Sequence, residues 1–371
     1  AASLALMFSA IQQYQTQKIS FSVDTSYLHW KTNFPSIVIC EKKNSKVRSL
    51  RSKIRPDLEK LVFFDGSLSP QDKSACTESG KFRQQCLLGN YSDYMHKFRS
   101  KCSEIIGFCY YNDEDFSCCE EFLPVQTYHG PCFAFNSLVS GGTISTRDDL
   151  HFKITRDLDY GYGNLSIELF HAEVFVYALS QDAVPTKDTA SKLALLETSK
   201  KSLRKGFQYN CFLSAMETST DDVTRLMSVE NRGCRFYDEN ILRYSSVYSM
   251  SACENECRAN AQMKVCGCIV HTLPHNDEKD CDFDGIVCIV DNDKTISQIV
   301  KTCSCFSSCF DMEINNIGYT INAQNQQSEN AKKEVRINFI VSPPYLHFTR
   351  KVVKTPLSML GNGFFQVISM L

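Results

Sequence analysis

The chain has one tryptophan among 371 residues, no low-complexity tract and no internal repeat, so repeat arrays and disordered linkers are excluded as its main architecture. It also lacks an excess of either charge. Forty basic residues face forty-two acidic ones, for a formal net charge of -2, and nothing in that balance draws the protein to nucleic acid. There is no Gly-x-Ser-x-Gly nucleophile elbow, no His-Glu-x-x-His zinc helix and no phosphate-binding loop. Gly161-Tyr162-Gly163 has no third glycine, and Pro274 breaks the helix that would aim His271 and His275 at one metal. No enzyme chemistry and no cofactor is expected. Finally, no apolar run is long enough to cross a bilayer, which takes about 20 residues.

What the chain does have is cysteine. It carries nineteen, ten of them between Cys234 and Cys309. That number points to an oxidising compartment and a disulfide framework. Zinc is the competing reading for Cys266-x-Cys268 and Cys303-x-Cys305 with His271 and His275, but zinc pairs ordinarily use two-residue spacers. Ser251-Ala252-Cys253-Glu254 has the form of a capping box, which starts a helix there and puts Cys253 and Cys257 one turn apart on one face. Ile296, Ile299, Val300 and Cys303 follow the spacing of a second amphipathic helix. Two helices pinned by nested crosslinks result, although ten cysteines alone admit hundreds of pairings.

The run Arg232-x-Cys234, Asp238-Glu239, Tyr248-Ser249, Cys253-x3-Cys257, Cys266-Gly267-Cys268, Pro274, Cys281, Cys288 and Cys303-x-Cys305-x3-Cys309 resembles the thumb of the epithelial sodium channel and degenerin family, in wording closest to the insect pickpocket branch. A second match is Gly130-x-Cys132-x-x-Phe135-Asn136, preceded by Phe34-Pro35 and the apolar run to Cys40. The resemblance implies an α+β, disulfide-rich extracellular clenched hand: a β palm and β-ball with a helical finger and thumb, set between two transmembrane helices. It implies bridges Cys234 with Cys309, Cys253 with Cys305, Cys257 with Cys303, Cys266 with Cys288, Cys268 with Cys281, and Cys40 with Cys132. Cys109 is expected to pair with Cys118 or Cys119. Cys76, Cys86, Cys102, Cys211 and the spare member of that vicinal pair stay unassigned, and the odd total leaves one thiol free or intermolecular.

On that resemblance, residues 1–13 are the end of a first transmembrane helix and 14–233 hold wrist, palm, β-ball and finger. Residues 234–310 form the thumb, 311–354 the returning palm strands and wrist, and 355–371 a truncated start of the second helix. Tyr14 falls where the family places a wrist aromatic, and Gly361 and Asn362 fall at the pore entrance. Here the chain departs from the family. Gly363-Phe364-Phe365 replaces paired glycines, and no Gly-x-Ser filter triplet follows Gly361. Within the body, Met95, Phe98, Cys102, Ile105, Ile106 and Cys109 keep helical spacing, and Leu165–Leu179, Phe207–Leu213, Tyr319–Ile321 and Val335–Val341 read as strands. Residues 41–60 read as a basic, solvated helical face. Asn90-Tyr91-Ser92 and Asn164-Leu165-Ser166 are glycosylation sequons. Glu254, Glu256, Asp277, Glu278, Asp280, Asp282 and Asp284 gather carboxylates in or near the thumb, where close pairs would raise each other's pKa.

The function so implied is a subunit of a stimulus-gated, amiloride-sensitive sodium channel. It would sit in the plasma membrane as a multi-pass protein, mostly extracellular, with sodium ions, the lipid membrane and other subunits of a homo- or hetero-trimer as partners. The alternative is a non-conducting regulatory or shed binding protein.

Overall fold

The computed structural model describes residues 19–24, 31–43, 60–75, 91–140, 149–155, 163–170, 173–192, 203–276, 278–324, 334–342 and 347–352. In chain order the strands are β1 (Ile19–Asp24), β2 (Lys31–Asn33), β3 (Ser36–Glu41), β4 (Ile106–Tyr111), β5 (Glu114–Phe116), β6 (Phe122–Thr127), β7 (Gly130–Phe135), β8 (Lys153–Thr155), β9 (Gly163–Leu169) and β10 (Val174–Leu179). They continue with β11 (Phe207–Thr220), β12 (Cys234–Arg235), β13 (Ser307–Ser308), β14 (Asp311–Ala323), β15 (Val335–Ser342) and β16 (His347–Val352). The helices used below are α1 (Tyr91–Phe98), α2 (Cys102–Ile105), α3 (Cys118–Glu121), α4 (Val229–Arg232), α5 (Met250–Cys266), α6 (Phe283–Asp291) and α7 (Asp293–Lys301).

Two sheets make the body. The larger has eight strands in the order β1-β16-β11-β15-β9-β4-β5, with β14 also on β11; the smaller runs β10-β3-β7-β6. β15 alternates cleanly, with Val335, Ile337, Phe339 and Val341 fully buried and the residues between them half-buried. Each inward side chain contributes roughly 1.5–3 kcal/mol of burial. β3 does not alternate, because both of its faces are covered. Ile37 and Ile39 face the core shared with the large sheet, while Val38 and Cys40 face a second cluster that includes Ala252 of α5. A short unbroken apolar run is the sequence form of a strand buried on both sides.

The Phe135-Asn136 pair ends β7 for a physical reason. Phe135 packs among Phe34, Phe116, Phe122 and Phe152. Asn136 then turns the chain at φ 51°, and its amide donates to the carbonyls of Phe34 at 2.6 Å and Phe152 at 3.2 Å. Asparagine tolerates that left-handed backbone better than other residues with a Cβ.

Three expectations are corrected. The helical spacing from Met95 to Cys109 is not one helix: α1 ends at Phe98, α2 covers Cys102–Ile105, and Ile106 and Cys109 lie in β4. There the chain pairs with β9, and an apolar repeat of three or four residues is also met by successive short elements. The long helix of the cysteine-rich segment is capped by Ser249, whose hydroxyl accepts from Ala252 N at 3.0 Å, and not by Ser251. Ser251 Oγ is taken up by Val184 N at 2.9 Å. That segment also holds three helices, not two. The basic stretch within 44–59 lies outside the described residues, as do residues 1–18 and 353–371. Among the described residues no helix is long and apolar enough to cross a membrane.

Candidate functional site: a disulfide clamp tied to the sheet

Five bridges staple the segment that follows β11. Cys253 and Cys257, on one face of α5, bond to Cys305 and Cys303 in the turn after α7. Cys266 at the end of α5 bonds Cys288 in α6, Cys268 bonds Cys281, and Cys234 bonds Cys309 across the base. The closures span 52, 46, 22, 13 and 75 residues. A single closure of this kind restricts the unfolded chain by roughly 3 to 4.5 kcal/mol, and nested ones add less than their sum. Beneath them Ala259, Ile269, Phe283, Ile286, Ile289 and Ile296 form a separate core. The Cys266-Gly267-Cys268 triplet works because Gly267 caps α5 at φ 72°, so the chain reverses between two cysteines with different partners.

The clamp is fixed to the small sheet at its flank. Asn255 donates to Pro185 O at 3.1 Å, Gln126 donates to Thr272 O at 2.9 Å, and Lys187 pairs with Asp293 of α7, which Arg258 of α5 also reaches from within the clamp. Its base is tied to the large sheet. Thr220, the last residue of β11, donates to Cys309 O at 2.6 Å, and Cys309 N donates to Arg235 O at 3.0 Å. Arg232 is buried and donates from Nε to Cys234 O at 2.8 Å, while its terminal nitrogen pairs with Glu239. Arg225 grips both oxygens of Asp238 at 3.0 Å and lies 3.7 Å over the Phe236 ring. Tyr248 donates to Phe306 O at 2.7 Å. The Arg232-x-Cys234, Asp238-Glu239 and Tyr248-Ser249 words of the sequence are thus the lock of the base and the cap of α5.

From Thr220 the connection continues. Thr220 registers with Arg350 of β16, Arg350 registers with Phe21 of β1, and Asp221 N donates to Arg350 O at 3.0 Å. Val223 and Leu226, on the 3-10 turn Asp222–Leu226, stand exposed beside this strand pair, Leu226 at 90%. Thr220, Arg225 and Arg350 carry no sequence signal of their own, and no motif named them.

Elsewhere, Cys40 bonds Cys132 between β3 and β7, Cys109 bonds Cys118, and Cys102 bonds Cys119. Among the described cysteines Cys211 keeps a free thiol, and its burial in β11 pushes it up to about 12. Cys76 and Cys86 lie outside the described residues, with Tyr14, Asn90, Gly361 and Asn362. Asn164 lies within β9, its N–H bonded to Asn112 Oδ1 at 2.9 Å and its own side-chain oxygen enclosed. The cysteines of the competing zinc reading are all in bridges. His271 contacts Val62 O, and His275 pairs with Asp280. Among the described residues no cluster fit for a metal ion forms.

The carboxylates of the segment are not brought together. Glu256 takes Arg243 N, Asp282 caps α6 through Gly285 N, and Glu278 takes the Tyr244 hydroxyl, which holds it below the usual carboxylate range. Glu254 is pushed up, first by burial and then by Asp188, against the pull of Arg258 and Thr186. Asp277 is outside the described residues.

A two-sheet body bearing a helical unit stapled by five bridges defines a mixed α/β ectodomain of the oxidising kind. The chain belongs to the amiloride-sensitive sodium channel family, whose profile matches residues 1–363. Members of this family are membrane-embedded ion channels with a large extracellular domain, and they are not enzymes. The protein called sodium channel protein Nach of Drosophila melanogaster is 24% identical, over 91% of this chain and 71% of its own length. Its namesake from Drosophila virilis is 27% identical over 62% of this chain and 60% of its own length. Pickpocket protein 11 of Drosophila melanogaster is 34% identical over 30% of this chain, and that match spans 24% of its own length.

Proposed function

We propose that the chain is a subunit of a stimulus-gated, amiloride-sensitive sodium channel, assembled as a homo- or hetero-trimer in the plasma membrane. Residues 234–310 act as its thumb, and the two sheets act as palm and β-ball. The helices at either end of the ectodomain cross the membrane, with Tyr14 at the wrist and Gly361 and Asn362 at the pore entrance. The observation that carries the reading is the bonded path from the clamp through Thr220 to β16 and β1. Those two strands lead toward residues 1–13 and 355–371, the stretches that the family places at the membrane. A stapled clamp deforms little, so a displacement imposed on it is passed to that strand pair and not absorbed.

Two-electrode voltage clamp of oocytes expressing the full coding sequence tests this. An inward sodium current blocked by amiloride is expected, alone or with a second subunit. A surface-expressed protein that carries no current alone and none with any partner subunit, while binding an extracellular ligand, would replace the channel reading with the regulatory one.

A further inference from the structure

An open cleft of about 330 Å³ lies where the end of β3, the start of β10, the turn before β7 and the residue after α1 meet the segment 60–65. It shares no lining residue with the clamp base or with the path through Thr220, β16 and β1. Its polar wall is mainly cationic: Lys42, Lys43, Lys60 and Arg99 stand against Glu41 and Asp65. Lys43 also pairs with Glu173 at 3.3 Å just outside, and among the described lining residues four cations stand against two acids.

Two of these cations rest on aromatic rings. The Arg99 guanidinium lies 4.9 Å over Phe63, and the Lys42 ammonium lies 4.9 Å over Phe175. Arg99 is anchored by donating to three neutral backbone carbonyls, those of Glu41, Pro131 and His129. Its Nε is enclosed with no hydrogen-bond partner, and the acceptors of its terminal nitrogens are those carbonyls and not a carboxylate. The nearby acids are engaged in other ways: Glu41 takes Ser100 N at 3.0 Å, and Asp65 takes the backbone and hydroxyl of Ser67. His129 lies in the same wall, held neutral mainly by burial and then by Arg99 and Lys42, which push it down to about 3. A positively charged wall faced with phenyl rings, of a volume that holds a small organic molecule, selects for an anion with an apolar body.

We propose that this cleft binds a small amphipathic carboxylate, its charge set between Lys42 and Lys60 and its apolar body laid against Phe63 and Phe175. The carboxylate of a peptide terminus and that of a free organic acid present the same chemistry there. The inference is read by binding alone and stands whether or not the chain conducts.

The test uses the full chain in detergent micelles and isothermal titration calorimetry with three probes: N-acetyl-phenylalanine, its neutral amide and inorganic phosphate. Expected is saturable binding of the acid, at least tenfold weaker binding of the amide, and a tenfold loss for the acid in a Lys42→Gln, Lys60→Gln double variant. The variant's unliganded melting temperature should match the parent's, since both lysines sit at the rim. A short peptide ending in a free phenylalanine carboxylate, compared with its C-terminal amide, separates the peptide source from the free acid. Equal binding of acid and amide, or an unchanged affinity in the double variant, overturns the proposal. Binding of phosphate without the acid overturns the amphipathic part and assigns the cleft to an inorganic anion.

Discussion

The hydroxyl of Thr220 donates to the backbone carbonyl of Cys309 at 2.6 Å, so the last residue of the longest strand holds the base of the disulfide clamp by one buried hydrogen bond. Thr220→Val keeps the shape and the strand preference but orphans that carbonyl, a loss of roughly 1–3 kcal/mol. The expected result is a melting temperature a few degrees lower, together with a shifted stimulus–response curve in the assembled channel. Thr220→Ser should restore both. A valine variant that matches the parent in response while losing stability would separate the bond from coupling.

The Cys257–Cys303 bridge predicts non-additivity. Cys257→Ser and Cys303→Ser each break the same closure, so the double variant should be no less stable than either single one. Each should cost roughly 2–5 kcal/mol and reduce the amount of protein at the surface. Surface biotinylation and thermal unfolding measure this. Unchanged stability and surface level in both single variants would mean that the clamp does not depend on the bridge.

Asn136 supplies a graded test, because it combines a left-handed backbone with two side-chain hydrogen bonds. Asn136→Gly keeps the backbone and loses the bonds, while Asn136→Ala loses both. Glycine should therefore be the milder change, alanine being worse by about 1 kcal/mol. Denaturant midpoints decide it, and alanine equal to glycine would show that the backbone there is not constrained.

Much of the body was legible where one physical cause dominates the residue pattern. β3 reads as a strand from its unbroken apolar run, and β15 from its alternation, since burial on two faces or one writes those two patterns directly. α6 escaped because Ile286-Val287-Cys288-Ile289-Val290 is β-branched and apolar all round, which suits a strand as well as a buried helix; the one pointer was Asp282, its cap. The start of α5 was misplaced by two residues because Ser249 and Ser251 both present a hydroxyl to a neighbouring amide, and only tertiary packing assigns Ser251 to Val184. The path through Thr220 and Arg350 was not legible at all. Contacts between residues 89 or more positions apart leave no local period, and threonine at a strand end is ordinary.

The sequon at Asn164 is expected to stay unoccupied in folded protein. Its residue lies between two paired strands, with its backbone joined to Asn112 in both directions and its side-chain oxygen enclosed. That pairing holds the sequon in extended backbone and keeps its half-buried side chain from the bent conformation that glycan transfer needs. Glycopeptide mass spectrometry of surface protein should find Asn164 bare, and an occupied site would show that strand pairing does not keep this amide from the transferase.

Two histidines set an acid limit on stability. Burial holds His129 down to about 3 and His271 down to about 4, so both stay neutral in the folded protein at values where the unfolded chain, with its ordinary pKa near 6.5, takes up protons. The unfolded state therefore binds more protons, and stability is lost as pH falls from about 6.5 toward 4, by roughly 1.4 kcal/mol per pH unit for each histidine. His275 works in the other sense. Its hydrogen bond to Asp280 raises it, so it adds stability below its ordinary pKa and loses it as pH rises through the raised value. Below its ordinary pKa that contribution is already complete and nearly constant, so the net slope between pH 6 and 4.5 should be downward on acidification, and His129→Gln should flatten it whatever it does to stability at pH 7.5. Denaturant unfolding at four pH values reads that slope directly. A His129→Gln variant with the parent's slope would mean that His129 titrates alike in both states and is not sealed between Tyr177 and Phe175.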